Sequence, residues 1–334
     1  MKNKLLITTA IAGTFAFAGA SFAETKVVGN LETTFNAMSN DTAIQSGRQI
    51  DAETNIGLTG SKDLDNGLKA TYGFLLENGA SDTEYLTVGT DTVNVAVGTD
   101  FGNNLSSSAV PHVGDQVGSI VRADNGSGVI TGANIPVANV HNASHVALNI
   151  NGAGGTFTAR YSPDLSNTRG GATSIAGDTG ESGTEILYTG NLGVDGLTVL
   201  IGQGDVTAAT DSGREDGKHQ KFGIAYNFGS VSVGVEKQKS EDAATTATQD
   251  ETDTNRAGIS FAVSDAITLG LNYQETELKT GGVKNANDEE AVMVSVGYNF
   301  GGLGIQLQYA QVDNLQNQAN VDAEAFQIRT IQSF

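Results

Sequence analysis

Apolar and polar side chains alternate along much of this chain with a period of two residues. In the first such segment Val27, Leu31 and Phe35 are apolar, whereas Glu32 is polar. The same pattern recurs in later segments, for example at 222–228 and 292–300. Because successive side chains of a β-strand point to opposite faces, this alternation predicts strands with one apolar and one polar or small-residue face.

Sixteen segments carry enough of this pattern to be predicted as strands, and together they cover most of the chain. The scarcity of proline, with 3 residues in 334, agrees with a chain made mostly of paired strands, because proline removes a ladder donor. The predicted strands are 26–37, 50–61, 67–78, 83–90, 92–99, 144–151, 155–162, 182–190, 196–203, 218–228, 230–239, 254–263, 266–277, 288–300, 302–313 and 322–334.

The connections between the predicted strands fall into a tight set and a long, polar set. The tight connections are 63–66, 90–91, 152–154, 228–230, 264–265 and 300–302. The long ones are 38–49, 100–143, 163–181, 204–217, 240–253, 278–287 and 314–321. Short turns at one rim and long loops at the other are typical of membrane barrels, whereas a soluble sandwich gives the alternation without this segregation. We therefore predict an all-β fold, a transmembrane antiparallel β-barrel of about 16 strands.

The N-terminus has the three parts of a secretory signal. Lys2 and Lys4 precede an uncharged, largely apolar run at 5–20, and Ser21-Phe22-Ala23 has small residues at its first and third places. This pattern predicts cleavage after residue 23, with residues 24–334 forming the barrel. The competing interpretation is a membrane anchor, for which the run is near the lower limit of about 18 residues.

The charge and the absence of cysteine exclude several function classes. The full chain has a formal charge of −20, and removing Lys2 and Lys4 with the signal takes it to −22. Nucleic acid is therefore not predicted as a partner, since it requires a basic footprint. With no Cys in the chain, disulfides, thiol catalysis and thiolate metal sites are excluded.

Motifs for catalysis or cofactor binding are missing from the sequence. His112, His141, His145 and His219 have no nucleophile-base motif around them, and neither a P-loop nor G-x-G-x-x-G occurs. The acidic loop 240–253 does not match the spacing of an EF-hand. We therefore predict that the protein is not an enzyme and uses no cofactor and no metal.

One segment resembles a known family. Residues 55–74, which read NIGLTGSKDLDNGLKATYGF, are similar to the second and third strands of the general diffusion porins of the bacterial outer membrane. The terminal Phe334 resembles the family's C-terminal aromatic residue, which the barrel insertion machinery reads. The resemblance implies a sixteen-stranded, usually trimeric barrel whose third extracellular loop folds into the lumen. Loop 100–143 occupies the position of that loop.

Candidate pore-constriction residues lie in loop 100–143. Physics alone leaves this loop either folded into the lumen or external, and the resemblance favours the lumen. Asp115 and Asp124, with Arg122 beside them, are then the predicted constriction residues, and ordinary loop solvation is the alternative. The family commonly places arginines opposite an acidic loop, and this chain has few basic residues with which to do so.

Strand parity assigns five charged residues to the inner wall. Apolar neighbours such as Tyr72, Phe157 and Phe222 are predicted to face lipid, where a basic group near the midplane costs roughly 2–4 kcal/mol. The predicted pore-wall residues are Glu32, Lys69, Arg160, Lys221 and Arg329. Solvated lumen residues or structural ion pairs are the alternatives. Closure of the barrel between its first and last strands further predicts that Glu32 and Arg329 are neighbours.

These features predict a passive channel for small hydrophilic solutes and ions, with outer-membrane lipid around it. The acidic balance predicts a modest preference for cations, because charges at a narrow opening raise the local concentration of counter-ions. A substrate-selective channel, an outer-membrane barrel enzyme of the lipase or protease type, and a plugged structural barrel are the alternatives.

Overall fold

The computed structural model describes residues 25–40, 47–114, 140–165, 181–208, 216–241 and 250–334, and a single antiparallel sheet runs through these ranges. A single turn of 3-10 helix at Leu315–Asn317 interrupts the last long connection. No helix in these ranges is long and apolar enough to cross a membrane. The strands are β1 (Lys26–Asn40), β2 (Gly47–Asp63), β3 (Lys69–Glu77), β4 (Ala80–Gly89), β5 (Val93–Thr99), β6 (His145–Gly152), β7 (Gly155–Ser162), β8 (Ser182–Gly190), β9 (Leu197–Thr207), β10 (Gly217–Asn227), β11 (Val231–Glu241), β12 (Asp250–Ala262), β13 (Ile267–Thr280), β14 (Val283–Lys284), β15 (Glu289–Asn299), β16 (Leu303–Asp313) and β17 (Ala323–Ser333).

The sheet closes on itself. Every pair of neighbours is antiparallel, and β1 pairs with both β2 and β17, so among the described strands of the wall none has an open edge. β14 has two residues and pairs only with the end of β13, which pairs along its length with β15. In the part of the chain that the structure describes, the wall therefore consists of sixteen paired strands, which confirms the predicted barrel and meets the requirement that backbone edges be paired in lipid.

The two faces of the wall differ in the way that the alternation predicts. Tyr161 is 51% exposed and Phe222 is 48% exposed on the outer face, although both are large and apolar. Their neighbours Arg160 and Lys221 point to the inside, where they are 4% and 3% exposed. An outer surface with such continuous apolar exposure would aggregate in water, and it matches the lipid-facing band of a membrane barrel.

Several strands extend beyond their predicted ends at the long-loop rim. β12 begins at Asp250 and β13 ends at Thr280, whereas the alternation predicted 254 and 277 as these limits. The added residues pair across the ladder and carry charges, and Lys279 Nζ lies 2.6 Å from a carboxylate oxygen of Glu251. Backbone pairing continues outside the apolar band because ion pairs replace apolar contacts there, so the apolar pattern underestimated these strands.

Buried apolar contacts lie on the inside of the barrel. One cluster contains Leu187 and Leu200 of the wall together with Leu105 and Ala109, which follow β5 in the chain. A second contains Phe101, packed against Ala96 and Ala147 of the wall. The chain after β5 is therefore packed against the inner face of the wall, at the start of the long connection to β6.

Candidate functional site

Residues 101–114, called here the post-β5 segment, contact inward-facing side chains from β4 around to β16. The segment begins at Phe101, whose ring is stacked on His145 at a centroid distance of 4.4 Å and packs against Tyr85 at 5.6 Å. Asp100, just before it, donates its backbone N–H to the His141 carbonyl at 2.8 Å. These contacts hold the start of the segment to β4 and β6.

A buried ion pair between β7 and β8 forms the first anchor of the segment. Arg160 and Glu185 pair directly, and their side chains are 1% and 0% exposed. The Arg160 guanidinium also donates to the carbonyl of Phe101 at 3.2 Å and to the carbonyl of Asn103. Glu185 accepts the Leu105 backbone N–H at 3.3 Å. Each member of the pair thus bonds both its partner and the segment.

The second anchor is centred on Glu236 of β11. Its carboxylate lies 3.1 Å from Lys221 Nζ of β10 and 2.9 Å from Arg256 Nη1 of β12. It also accepts hydrogen bonds from the Ser108 hydroxyl at 2.9 Å and the Ala109 N–H at 3.1 Å. Lys221 in turn donates to the carbonyls of residues 105 and 107, at 3.1 and 2.6 Å. The three charged side chains thus pair with one another, and two of them also bind four groups of the segment, namely two carbonyls, one backbone N–H and one hydroxyl.

Two neutral amides complete the attachment. Asn272 of β13 donates its side-chain N–H to the Pro111 carbonyl at 2.8 Å, and Gln308 of β16 donates to the Val113 carbonyl at 3.0 Å. A segment without regular secondary structure normally exposes its carbonyls to water. Here the carbonyls of the segment accept hydrogen bonds from inward-pointing side chains on four different strands, β7, β10, β13 and β16.

The structure places Arg160 and Lys221 on the inner face, where strand parity predicted them, but beneath the post-β5 segment. In this position both form structural ion pairs, which is one of the alternatives that the sequence left open. Their partners Glu185, Glu236 and Arg256 were not singled out from the sequence. Their inward parity was readable, but the pairing of Arg160 with Glu185 depends on a register across the loop 163–181.

Glu32 and Arg329 are in contact, as predicted from closure. Arg329 Nη2 donates to Glu32 Oε2 at 2.6 Å, and the same pair has a second contact of 2.5 Å through Arg329 Nε. The contact is diagonal, because Arg329 lies opposite Thr34 and Glu32 lies opposite Ile331. On the other side of β1, Glu32 lies opposite Glu53 of β2.

This corner of the inner wall is acidic. Asp51 and Glu53 of β2 lie two residues apart and so share a face with Glu32 of β1, which contacts the guanidinium of Arg329. Asp51 accepts a hydrogen bond from the Gln49 amide at 2.9 Å. Among the described residues, no three His, Cys, Asp or Glu side chains are arranged to hold a metal ion.

The other predicted residues lie at the short-turn rim or outside the described ranges. Lys69 is exposed at the start of β3, opposite Asp63 of β2. Phe334 follows β17, and its backbone N–H donates to the Gly29 carbonyl at 3.0 Å, so the chain end is paired with β1 as predicted. The predicted constriction residues Asp115, Arg122 and Asp124 lie outside the described residues, as does the predicted signal at 1–23.

One family model matches most of the chain, and several solved structures share its fold. The model of the Gram-negative porins matches residues 8–328. A loop L8 deletion mutant of OmpT, an outer membrane protein of Vibrio cholerae, has a TM-score of 0.70 at 15% identity, over 93% of this chain and 99% of that chain.

Two further solved structures have the same fold. The trimer form of Vibrio cholerae OmpT has a TM-score of 0.68 at 14% identity, over 93% of this chain and 99% of that one. A substituted Rh. blastica porin has a TM-score of 0.56 at 16% identity, over 93% and 100% of the two chains. None of the curated proteins matches the sequence.

Proposed function

The chain belongs to the Gram-negative porin family, and on that premise we propose that it is a passive diffusion channel for small hydrophilic solutes and ions in the outer membrane. The observation that carries this proposal is the closed wall of sixteen strands with an apolar outer face and a polar inner face. Sixteen-stranded walls enclose a lumen wide enough for water.

The whole of loop 100–143 is proposed to fold into the lumen and narrow it. In support, its first part is attached to the inner wall at Arg160, Glu236, Asn272 and Gln308. The segment ends at Gly114, which lies beside the inward-facing Gln308, so the rest of the loop begins inside the barrel. Asp115, Arg122 and Asp124 would then follow at the constriction.

A modest cation preference is part of the proposal. Arg160, Lys221 and Arg256 are all paired with glutamates beneath the post-β5 segment, which removes them from the path of permeating ions. Within the described ranges, the acidic corner of Glu32, Asp51 and Glu53 has Arg329 as the base in contact with Glu32. Low-dielectric walls focus such a field, but a screening length of about 8 Å at physiological salt keeps the preference modest.

The same proposal has consequences for partners. We propose that the channel is a homotrimer surrounded by outer-membrane lipid, that Phe334 is read by the barrel insertion machinery, and that residues 1–23 are removed on export. The trimer form of Vibrio cholerae OmpT, which has the same fold, supports the first of these. The protein is proposed to have no enzymatic activity and no cofactor.

A planar-bilayer recording of the purified protein tests the channel proposal. We expect stepwise insertion events with ohmic conductance, and no hydrolysis of lipid or peptide substrates by the same preparation. Insertion without current would favour a plugged structural barrel, and hydrolysis would favour a barrel enzyme.

Reversal potentials in a KCl gradient test the cation preference. We expect a K⁺ preference that weakens as salt rises, and chloride selectivity at low salt would refute it. Replacing Asp115 and Asp124 with Asn should reduce the K⁺ preference if the loop folds inward. An unchanged reversal potential would place both acids outside the pore, and Asp265→Asn, at a short turn, is a control in a described part of the chain.

A further inference from the structure

Six glycines of the inner wall lie directly beneath the post-β5 segment. They belong to consecutive wall strands, with one each on β9, β10, β11, β12, β13 and β15. Each shares the inward face of its strand, as the pairing of Gly202 with Lys221 and of Gly223 with Glu236 shows. We call this set the glycine track, and its members are Gly202, Gly223, Gly234, Gly258, Gly270 and Gly297.

A side chain on any of these glycines would meet the segment. A Cβ at Gly202 would lie 2.7 Å from Leu105 Cδ2, and one at Gly223 would lie 2.8 Å from the Ala109 Cβ. Further along the segment, Pro111 lies 2.7 Å from the Cβ position of Gly234, Val110 2.5 Å from that of Gly258, and Val113 3.2 and 2.9 Å from those of Gly270 and Gly297, so the contacts advance along the segment except that Val110 and Pro111 exchange places. Carbon atoms in contact normally stay about 3.5–4.0 Å apart.

Backbone conformation does not require glycine at these positions. None of the six has a positive φ, in contrast to turn glycines such as Gly67, Gly229 and Gly301. Glycine inside a strand weakens it, and one explanation is the close approach of another backbone. The post-β5 segment approaches all six positions, although at Gly258 and Gly270 the nearest atom belongs to a wall side chain, Asn272 and Ser295 respectively.

The track also follows the tilt of the barrel. Each glycine of the track has a paired residue on the next strand, and that residue can be compared with the next glycine. From β9 to β10, from β10 to β11, from β12 to β13 and from β13 to β15, the next glycine lies two residues closer to the short turns than this paired residue. Between β11 and β12, Gly234 and Gly258 are directly opposite. Strand tilt staggers neighbouring strands in this way, so the track stays at similar height around the wall.

We propose that the glycine track sets how closely the post-β5 segment lies to the wall and thereby sets the free width of the lumen. The inference rests on the proposed channel function for its second half, but the fit between segment and wall is independent of conduction. Side chains on the track displace the segment toward the pore axis, and the open area for solutes decreases. The track residues are positioning residues, because they act through the segment and not by touching the solute.

A double-mutant cycle between Gly223 and Ala109 tests the fit. Gly223→Ala should lower the thermal unfolding midpoint of the folded barrel, although alanine is ordinarily better than glycine in a strand. Adding Ala109→Gly removes the opposing Cβ. The thermal unfolding midpoint of the double variant should therefore be higher than the sum of the two single changes predicts. Additive effects would overturn the proposal.

The matched control is Gly304→Ala on β16. Gly304 faces the lumen, because it lies four residues before the buried, inward-facing Gln308 on the same strand, and the nearest atom to its Cβ position is the Ile331 carbonyl oxygen at 3.8 Å. This variant should leave both stability and conductance near those of the unmodified protein. If Gly223→Ala proves unable to fold, the pair Gly297→Ala and Val113→Ala provides the same cycle, because Val113 Cγ1 is the close atom there.

Conductance and solute-size exclusion provide the second readout. Gly223→Ala and Gly297→Ala should each reduce single-channel conductance and exclude smaller solutes, and the compensating change in the segment should restore both. Conductance equal to that of Gly304→Ala would overturn the role of the track in pore width. If no variant, including the unmodified protein, conducts, the channel proposal fails, while the stability cycle still decides whether the track and the segment fit together.

Discussion

At the scale of single residues, the inner wall contains charges whose partners decide their role. Glu236 lies between Lys221 at 3.1 Å and Arg256 at 2.9 Å, and its side chain is 0% exposed. A buried carboxylate is stable as an ion only when its partners satisfy it. Because Ser108 and Ala109 of the post-β5 segment bond the same carboxylate, the ion group joins wall and segment.

Glu236→Gln should destabilise the barrel strongly. The change keeps the shape but leaves Lys221 and Arg256 without their shared anion, and removing one partner of a buried pair costs about 3–5 kcal/mol. Urea unfolding of the refolded protein in detergent measures the effect. Lys237→Gln is the control, because Lys237 is exposed and its nearest carboxylate oxygen, on Asp253, is 3.9 Å away. Equal stability of the two variants would contradict the anchor.

The stability of the segment's start should depend on pH through His141, which lies between β5 and β6. Burial, then the charge of Arg160, then His145 lower the pKa of His141 from 6.5 to about 4. Between these values the unfolded chain binds more protons than the folded one, so stability is lost as the pH falls from 6.5 toward 4. His141→Asn should reduce the slope of the unfolding midpoint against pH in this window, leaving the contributions of the buried His145 and His219. A slope equal to that of the unmodified protein would contradict it.

At the scale of elements, β1 and β17 close the wall, and the post-β5 segment lines part of it. The closure has a polar diagonal contact between Glu32 and Arg329 on the inside and an apolar contact on the outside, where the Phe334 ring lies against Gly29. The pairing of the two strands runs continuously from Asn30 with Ser333 to Asn40 with Ala323. The first and last strands therefore join as firmly as consecutive ones do.

Arg329→Gln separates the structural and electrostatic parts of this closure. Loss of the cross-strand pair should lower the free energy of unfolding by roughly 0.2–1 kcal/mol. Removing the base beside Glu32, Asp51 and Glu53 should also increase the preference of the channel for K⁺, because the corner becomes more negative. Reversal potentials measure the second effect, and a shift toward chloride would contradict the placement of this corner beside the ion path.

At the scale of the whole molecule, the outer face is apolar and the short-turn rim has aromatic pairs. Tyr226 and Phe228 lie with ring centroids 4.7 Å apart, and Tyr298 and Phe300 lie 4.1 Å apart. Aromatic girdles are typical of the boundaries of the apolar band of membrane barrels. Phe334 belongs to the same rim and is 64% exposed, so its ring contributes little to packing within the chain.

Deletion of Phe334 should impair assembly of the barrel in the outer membrane more than it impairs its stability once folded. The backbone N–H of Phe334 makes one hydrogen bond, to Gly29, and its exposed ring is available for recognition. Outer-membrane levels of the truncated protein, compared with those of Phe334→Tyr, measure the effect. Normal levels after truncation would contradict a role in insertion.

The sequence by itself determined the strand count, the two faces of the wall and the two rims. These follow from local pattern, because lipid requires an apolar side chain at every second position and each tight turn requires its own residues. In one such turn, Asn299 Oδ1 accepts the N–H of Gly301, whose φ is +68°. The contact of Glu32 with Arg329 was also predictable, since closure places the two chain ends side by side.

Only the tertiary structure decided which inner charges are paired beneath the post-β5 segment. Parity shows that Arg160 and Lys221 face inward, but their partners depend on strand register across loops and on the course of a segment that has no periodicity. The glycine track could not be predicted from the sequence either, because nothing in the pattern of a single strand distinguishes its glycine from others. The contact between the track and the segment depends on the stagger of six strands and on the position of residues 105–113 against them.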